Sequence, residues 1–337
     1  MMKYVFFGSS EFAKIVLEKL LQNNLKPILV VTQPPKPVGR KQILSPSPIQ
    51  IFAEQEKISC FVPTNLNVED FIQTIKNLQP DLILLTAYGK IIPSVLLKLP
   101  PKGFINLHPS LLPKWRGATP IQSTILADDK EAGVTLFLMD KQIDHGPIIQ
   151  NTVYSIQYTR ITYSELSKQL AEIGADLIIK TIPRWLNGEI IPLPQDESLA
   201  TYCHKITSED EKINWQTSAE EIDRKVRALN PNPGVYFECS PACRTGREKK
   251  GSERSEGSYT LANNKIIKII EGFPLFDSQL SINKNPGGIF EYERKMAIKC
   301  NSGFYIIEKL KPAGKDIMTS ESFLNGNQWI KSYIISN

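Results

Sequence analysis

The sequence predicts an α/β chain in two parts, an N-terminal domain on a mainly parallel sheet and a smaller C-terminal β domain. Three observations carry this. Continuously apolar, β-rich runs at 3–7, 28–32, 81–86, 104–107 and 134–139 are bounded by glycine, proline or a charge and alternate with helical stretches. Strands apolar on both faces and separated by helices belong to a parallel sheet covered on two sides. Beyond about residue 205 the pattern changes: the runs 235–238, 265–271, 288–292, 296–300 and 304–310 follow one another with turn residues between them, as in a small antiparallel barrel or sheet. Finally, 337 residues suit two domains of roughly 100–200 residues each.

Taken in order, the run 3–7 ends in the turn Gly8-Ser9-Ser10, and a helix over 11–22 follows with Phe12, Ile15, Val16 and Leu20 at helical spacing. A turn at a helix start can hold phosphate, but this one lacks the remaining glycines of a dinucleotide fingerprint. The stretch 33–48 (QPPKPVGRKQILSPSP) is too long for an ordinary strand-to-helix connection and carries a basic tip, Gly39-Arg40-Lys41. Thr162 and Glu165 form a capping box for a helix to about residue 182; Ser218 and Glu221 form a second for a helix to about 229. The resulting division is a domain over 1–187, a linker over 188–205 rich in glycine and proline at its start, and a domain over 206–337. Within the last, 239–258 (CSPACRTGREKKGSERSEGS) has no aliphatic residue larger than alanine and reads as an exposed insertion between two strands of a hairpin.

Composition sets further bounds. Hydrophobic residues make up 41% and charged residues 22%, enough to bury cores. The net charge of +5, shared by both halves, permits a polyanionic partner without requiring one. The apolar stretches fall far short of the ~20 residues that cross a bilayer, and the N-terminal run is too short for a secretion signal. A cytoplasmic protein without a membrane partner is therefore expected. Five scattered cysteines make no disulfide framework, and Cys239 and Cys243 have no second ligand pair beside them, so no metal is expected.

The candidate chemistry centres on two of the three histidines. In Asn106-Leu107-His108 the amide and the imidazole stand two apart, which on a strand places them on one face. An amide N–H can stabilise a developing oxyanion while an imidazole moves a proton. The same residues before Pro109 could also simply end a strand. His145, inside Asp144-His145-Gly146-Pro147, reads as a turn residue rather than a second base, and His204 as a linker residue.

The stretch 106–117 (NLHPSLLPKWRG), followed 27 residues later by 144–148 (DHGPI), resembles the signature of the 10-formyltetrahydrofolate-dependent formyltransferases. The opening 4–13 (YVFFGSSEFA), the loop 32–48 and the phrase 227–234 (RALNPNPG) are similar to the branch of that family acting on methionyl-tRNA. The resemblance covers the chain except 239–258, and Asn232 stands where the family commonly has an aromatic residue.

The resemblance implies a Rossmann-like formyltransferase domain followed by an OB-like β-barrel. It implies transfer of the formyl group of 10-formyltetrahydrofolate to the amino group of initiator methionyl-tRNA by a monomer. Asn106 would donate to the formyl oxygen, His108 would assist proton transfer, and Asp144 would orient or charge-balance His108. Ser110, Leu111, Leu112 and Pro113 would bind the folate, with 85–89 and 144–148 lining the same pocket, and no metal is needed. Arg40 and Lys41 would meet the tRNA near its 3′ end, since a guanidinium can fork onto phosphate or stack on a base; Lys265, Lys268, Lys295 and Lys299 are candidate phosphate neighbours in the second domain. Three alternatives stay open: the same three residues could formylate a small-molecule amine such as an amino sugar, could hydrolyse formyltetrahydrofolate, or could remain on a non-catalytic RNA-binding scaffold.

Overall fold

The computed structural model describes residues 2–38, 42–157, 159–239, 265–277 and 285–327. The basic tip residues Arg40 and Lys41, and the expected insertion beyond Cys239, lie outside the described residues. The chain divides into two compact units, Met1–Lys205 and Ile206–Asn337.

The first unit runs β1 (Tyr4–Gly8), α1 (Glu11–Gln22), β2 (Leu29–Val31), β3 (Lys36–Val38), β4 (Ile43–Ser45), α2 (Pro48–Gln55), β5 (Cys60–Phe61), α3 (Glu69–Leu78), β6 (Leu82–Thr86), α4 (Ser94–Leu97), β7 (Phe104–His108), β8 (Arg116–Gly117), α5 (Pro120–Leu126), β9 (Glu131–Leu138), β10 (Ile148–Ser155), α6 (Tyr163–Leu186) and β11 (Tyr202–Cys203). Seven strands form one sheet in the order β10-β9-β7-β6-β1-β2-β5. The neighbours from β5 to β7 pair in parallel, and β9 and β10 add an antiparallel edge. All residues of β1, β6 and β7 are buried, as continuous apolar strands covered on both faces require. Phe7 meets Tyr88 and Phe104 edge-to-face at 5.2 and 5.3 Å, an arrangement worth about 0.5–1.5 kcal/mol per pair beyond area burial.

The long helix α6 starts at the expected capping box: the Thr162 side chain accepts from the Glu165 N–H, and the Glu165 side chain accepts from the Thr162 N–H. It runs to Leu186, with Pro183 inside its last turn. Its buried stripe includes Leu166, Leu170, Gly174, Ile178 and Ile182. A Cβ on Gly174 would fall 2.5 Å from the Leu107 side chain, so glycine lets α6 close over the middle of the site-bearing strand.

The stretch 188–205, expected to link two domains, belongs to the first unit. Leu193 exchanges two main-chain hydrogen bonds with Ile148, at 2.7 and 2.8 Å, and β11 pairs in parallel with β8. Proline and glycine in the sequence mark irregular backbone here, interrupted by a single 3-10 turn at Glu197–Leu199, and not the absence of contacts.

The second unit contributes α7 (Ser208–Glu211), α8 (Ala219–Leu229), β12 (Val235–Cys239), β13 (Lys265–Leu275), β14 (Ile289–Tyr292), β15 (Lys295–Lys299), β16 (Phe304–Pro312), β17 (Met318–Thr319) and α9 (Ser320–Gly326). Its sheet is antiparallel, in the order β12-β13-β16-β15-β14 with β17 on β16. The second capping box is present at α8. Strand β13 runs four residues past its expected end because a bulge at Glu271 and Gly272 lets it bend and keep pairing with β16. Among the described residues no helix is long and apolar enough to cross a membrane.

Candidate active site

Strand β7 lies between β6 and β9, with Asn106 opposite Leu85 and Phe137 and His108 opposite Thr135. Its pleat puts Asn106 and His108 on one face at the carboxyl end, where open α/β sheets hold their ligands. Both side chains are buried.

Past the strand, Ser110–Pro113 is pinned by polar contacts rather than left as a surface turn. The fully buried Thr135 hydroxyl donates to the Ser110 carbonyl at 2.7 Å and accepts from the Leu112 N–H at 3.1 Å. The Ser110 hydroxyl donates to the Lys114 carbonyl at 2.6 Å, and the Pro113 carbonyl accepts from the Thr201 N–H at 3.2 Å. Leu112 is buried and Leu111 half-buried, so much of the stretch's polarity is spent inward. These bonds aim Trp115, which adopts a left-handed φ of 61°, so that its carbonyl meets His108.

That contact fixes the imidazole. A carbonyl only accepts, so at 2.9 Å from the Trp115 oxygen His108 Nε2 must carry a hydrogen. The other nitrogen, Nδ1, faces the Asp144 carboxylate at 3.7 Å, too far for a hydrogen bond yet near enough for charge to be felt. Asp144 Oδ2 accepts the Gly117 N–H at 2.9 Å, while Oδ1 lies 3.5 Å from Asn106 Nδ2. Asn106 Oδ1 is buried and has no hydrogen-bond partner among the described residues. Asp144 itself has a left-handed φ of 48°, and two residues on a Cβ at Gly146 would fall 1.7 Å from the Leu138 carbonyl, so this turn demands glycine. The structure thus brings an amide, an imidazole and a carboxylate to one place. Together they can receive charge building on an oxygen and hold a proton leaving an amine.

Behind the carboxylate lies a residue that sequence reasoning treated only as part of a motif. Arg116 is wholly buried; its guanidinium meets Glu197 at 2.7 and 2.9 Å, Gln195 Oε1 at 2.8 and 3.0 Å, and the Tyr202 hydroxyl at 3.1 Å. The hydrogen-bonded Glu197 raises the arginine pKa further, and Arg116 in turn holds the Glu197 carboxyl below its ordinary range. No sequence signal pairs Arg116 with residues some 80 positions away.

The remaining sequence candidates have other partners. Ser9 accepts from the Gln33 N–H at 3.1 Å and Ser10 caps α1, so the turn after β1 ties the sheet internally. In 85–89, Tyr88 is buried, its hydroxyl has no partner among the described residues and burial pushes its pKa up to about 12. His145 pairs with Asp140 at 2.6 Å. Lys268 donates to the Pro233 carbonyl, Lys295 pairs with Glu308, and Lys299 lies over the Phe304 ring. The Lys265 side chain lies outside the described residues.

Residues 2–182 match the profile of the formyl transferase family, and residues 205–328 match its C-terminal domain. The chain is 38% identical over 336 residues to a methionyl-tRNA formyltransferase of Dictyoglomus thermophilum, covering 96% of this chain and 97% of that one. It is 37% identical over 325 residues to a methionyl-tRNA formyltransferase of Rickettsia bellii, with the same coverage of both. Among solved structures, the N-formyltransferase of Helicobacter canadensis, in complex with folinic acid and dTDP-3-aminofucose, superposes with a TM-score of 0.59 at 21% identity, over 91% of this chain and 98% of that one. HypX of Aquifex aeolicus in complex with tetrahydrofolic acid superposes with a TM-score of 0.62 at 14% identity over 98% of this chain, which spans about half (48%) of HypX. These structural likenesses are likenesses of fold.

Proposed function

The chain belongs to the formyl transferase family, and from that premise we propose that it moves the formyl group of 10-formyltetrahydrofolate onto the α-amino group of methionyl-tRNA. Relatives bearing that activity in their name, 35–38% identical along nearly the whole chain, support the substrate pair. The observation that carries the chemistry is the convergence of Asn106, His108 and Asp144 at the end of β7.

The co-substrate supplies an electrophilic formyl carbon on a nitrogen that can leave. The residues fit it. Among the described residues Asn106 Nδ2 makes only its 3.5 Å contact to Asp144, which leaves a hydrogen to meet the formyl oxygen as it gains negative charge. An N–H of this kind is worth about 10²–10³ in rate. His108, anchored through Nε2, has Nδ1 available to take the proton that the attacking amine loses. Asp144 balances the imidazolium so formed across 3.7 Å, and the Gly117 N–H stops the carboxylate from swinging away. The amine needs little activation, since α-amino pKa values lie near ~7.7–8.0. Ser110 to Pro113 bind the folate, and the half-buried Leu111 is the leucine with surface left to cover its ring.

Arg40 and Lys41 contact the acceptor end of the tRNA from the loop whose arms are β3 and β4. The support is their charge and that loop's resemblance to its family counterpart, and Arg40→Ala is expected to raise the KM for methionyl-tRNA about tenfold at unchanged KM for the folate. The enzyme acts as a monomer in the cytoplasm, the compartment of its aminoacyl-tRNA substrate.

The test is a competition. The protein is incubated with 10-formyltetrahydrofolate and, in separate arms, methionyl-tRNA, free methionine, a nucleotide-linked amino sugar, or water alone. Formylated methionyl-tRNA as the dominant product supports the reading; preferential formylation of the sugar, or formate release without an amine, refutes it.

A further inference from the structure

We propose that Gln195 is a positioning residue for the reaction: it ties the buried Arg116 to the turn that carries Asp144 and so holds that carboxylate against His108. The inference rests on the roles given above to Asn106, His108 and Asp144.

Gln195 reaches into the site from the stretch after α6. Its Oε1 accepts two bonds from Arg116, at 3.0 and 2.8 Å, while its Nε2 donates to the main-chain carbonyls of Asp144 and Gly146, at 2.9 and 2.8 Å. Both amide hydrogens and both lone pairs of the oxygen are therefore used. Only one orientation works. Reversed, the NH2 would face a guanidinium that only donates, and the oxygen would face two carbonyls that only accept. Arg116 cannot drift, because Glu197 and Tyr202 hold it from the other side and no part of it reaches solvent.

Asp144 needs such a hold. Its φ of 48° lies in the left-handed region, which aspartate and asparagine tolerate better than other side-chain-bearing residues but still at a steric cost. Among the described residues the one short bond to its carboxylate, 2.9 Å from the Gly117 N–H, comes from the residue next to Arg116. Arg116 and Gly117 together make up β8, which β11 clamps. Both restraints on Asp144 thus descend from one buried cation, and Gln195 is the link that reaches the main chain of the turn. With that link cut, the turn relaxes toward ordinary backbone and the carboxylate moves off His108.

Gln195→Glu separates this role from a structural one. The carboxylate has the same shape and still accepts from Arg116, so the buried cation stays neutralised. It no longer donates to the Asp144 and Gly146 carbonyls. The expected result is a fall in kcat for formylation of methionyl-tRNA of about 10- to 100-fold, the size of effect that a misplacement of about 1 Å produces. The KM values for methionyl-tRNA and 10-formyltetrahydrofolate should stay within about twofold, and the protein should still fold, with a thermal midpoint lowered by the two carbonyls that lose their donor. In the Asp144→Ala background the same substitution should cost nothing further, because the group it positions is gone.

A kcat within about twofold of wild type, a loss borne by KM, or a full additional loss on top of Asp144→Ala overturns the proposal. If Gln195→Glu does not fold, Gln195→Met, which has the same reach and no donor, is read by the same criteria; if neither folds, Gln195 is structural and the proposal is wrong. If the wild type itself does not formylate methionyl-tRNA, the assigned function fails first and this inference with it. A working wild type beside an unimpaired variant removes only the role of Gln195.

Discussion

Two histidine–carboxylate pairs each take one member from the adjacent residues Asp144 and His145 and differ in what surrounds them. His145 meets Asp140 at 2.6 Å and Glu197 at 3.5 Å, with its side chain 31% exposed. His108 meets Asp144 at 3.7 Å, with side-chain exposures of 5% and 14%. The tighter pair lies against water, where such contacts contribute about 0–1 kcal/mol. In the looser pair the ring is fixed at its far nitrogen by Trp115, the carboxylate is fixed by Gly117, and an amide stands alongside. Short distance is therefore a poor guide to chemistry. A pair that is buried, anchored at its outer atoms and left open between its inner ones can accept a proton without rearranging.

The largest expected effect breaks this comparison directly. Asn106→Ala and His108→Ala should each lower kcat/KM for formylation of methionyl-tRNA by about 10²–10³, with the folded state retained by circular dichroism. Near-full activity in both would leave the buried pair no more important than the exposed one. Next comes Arg116, which serves both pairs by holding Gln195 behind Asp144 and Glu197 beside His145. Arg116→Met removes charge-assisted bonds from a fully buried position and should lower the unfolding free energy by about 2–4 kcal/mol in urea titration; a loss below about 1 kcal/mol would mean that the cation only fills space.

His145→Ala sharpens the comparison from the other side. Formylation should stay within about threefold of wild type and stability within about 1 kcal/mol, whereas a loss equal to that of His108→Ala would make the exposed pair catalytic. The smallest effect concerns pH. Arg116 holds the Glu197 carboxyl below its ordinary value of 4.5. A folded-state value below the unfolded one gives stability that is present above pH 4.5 and is lost as pH falls through the lowered value. Glu197→Gln should therefore lower the urea midpoint slightly at pH 7 and by less at pH 3.5; an equal shift at both pH values would show that the charge contributes nothing.

The sequence made some of this legible. Strand alternation alone puts Asn106 and His108 on one face, and both capping boxes could be read because their residues interact within three positions. The order of strands in the sheet, and the antiparallel edge formed by β9 and β10, depend on long-range pairing that no local pattern encodes. Gln195 and Glu197 stayed hidden for the same reason. They lie in a stretch whose prolines suggest a linker, and their importance arises only from Arg116, some 80 positions earlier in the chain. Arg116 itself stands in the sequence only as one residue of the stretch 106–117 until the structure shows it fully enclosed. Trp115 gives no sequence sign that its carbonyl, not its ring, serves the histidine.

The central claim is that a charged carboxylate at residue 144 works through the imidazole of His108. It is tested most directly by single-turnover formyl transfer to methionyl-tRNA with Asp144→Asn, the folate donor and the enzyme both saturating. Asparagine keeps an oxygen for the Gly117 N–H and loses the charge, its NH2 taking the place of the oxygen that lies 3.5 Å from Asn106 Nδ2. The account predicts a transfer step at least about 100-fold slower, with binding of both substrates unchanged. Transfer at the wild-type rate would contradict it.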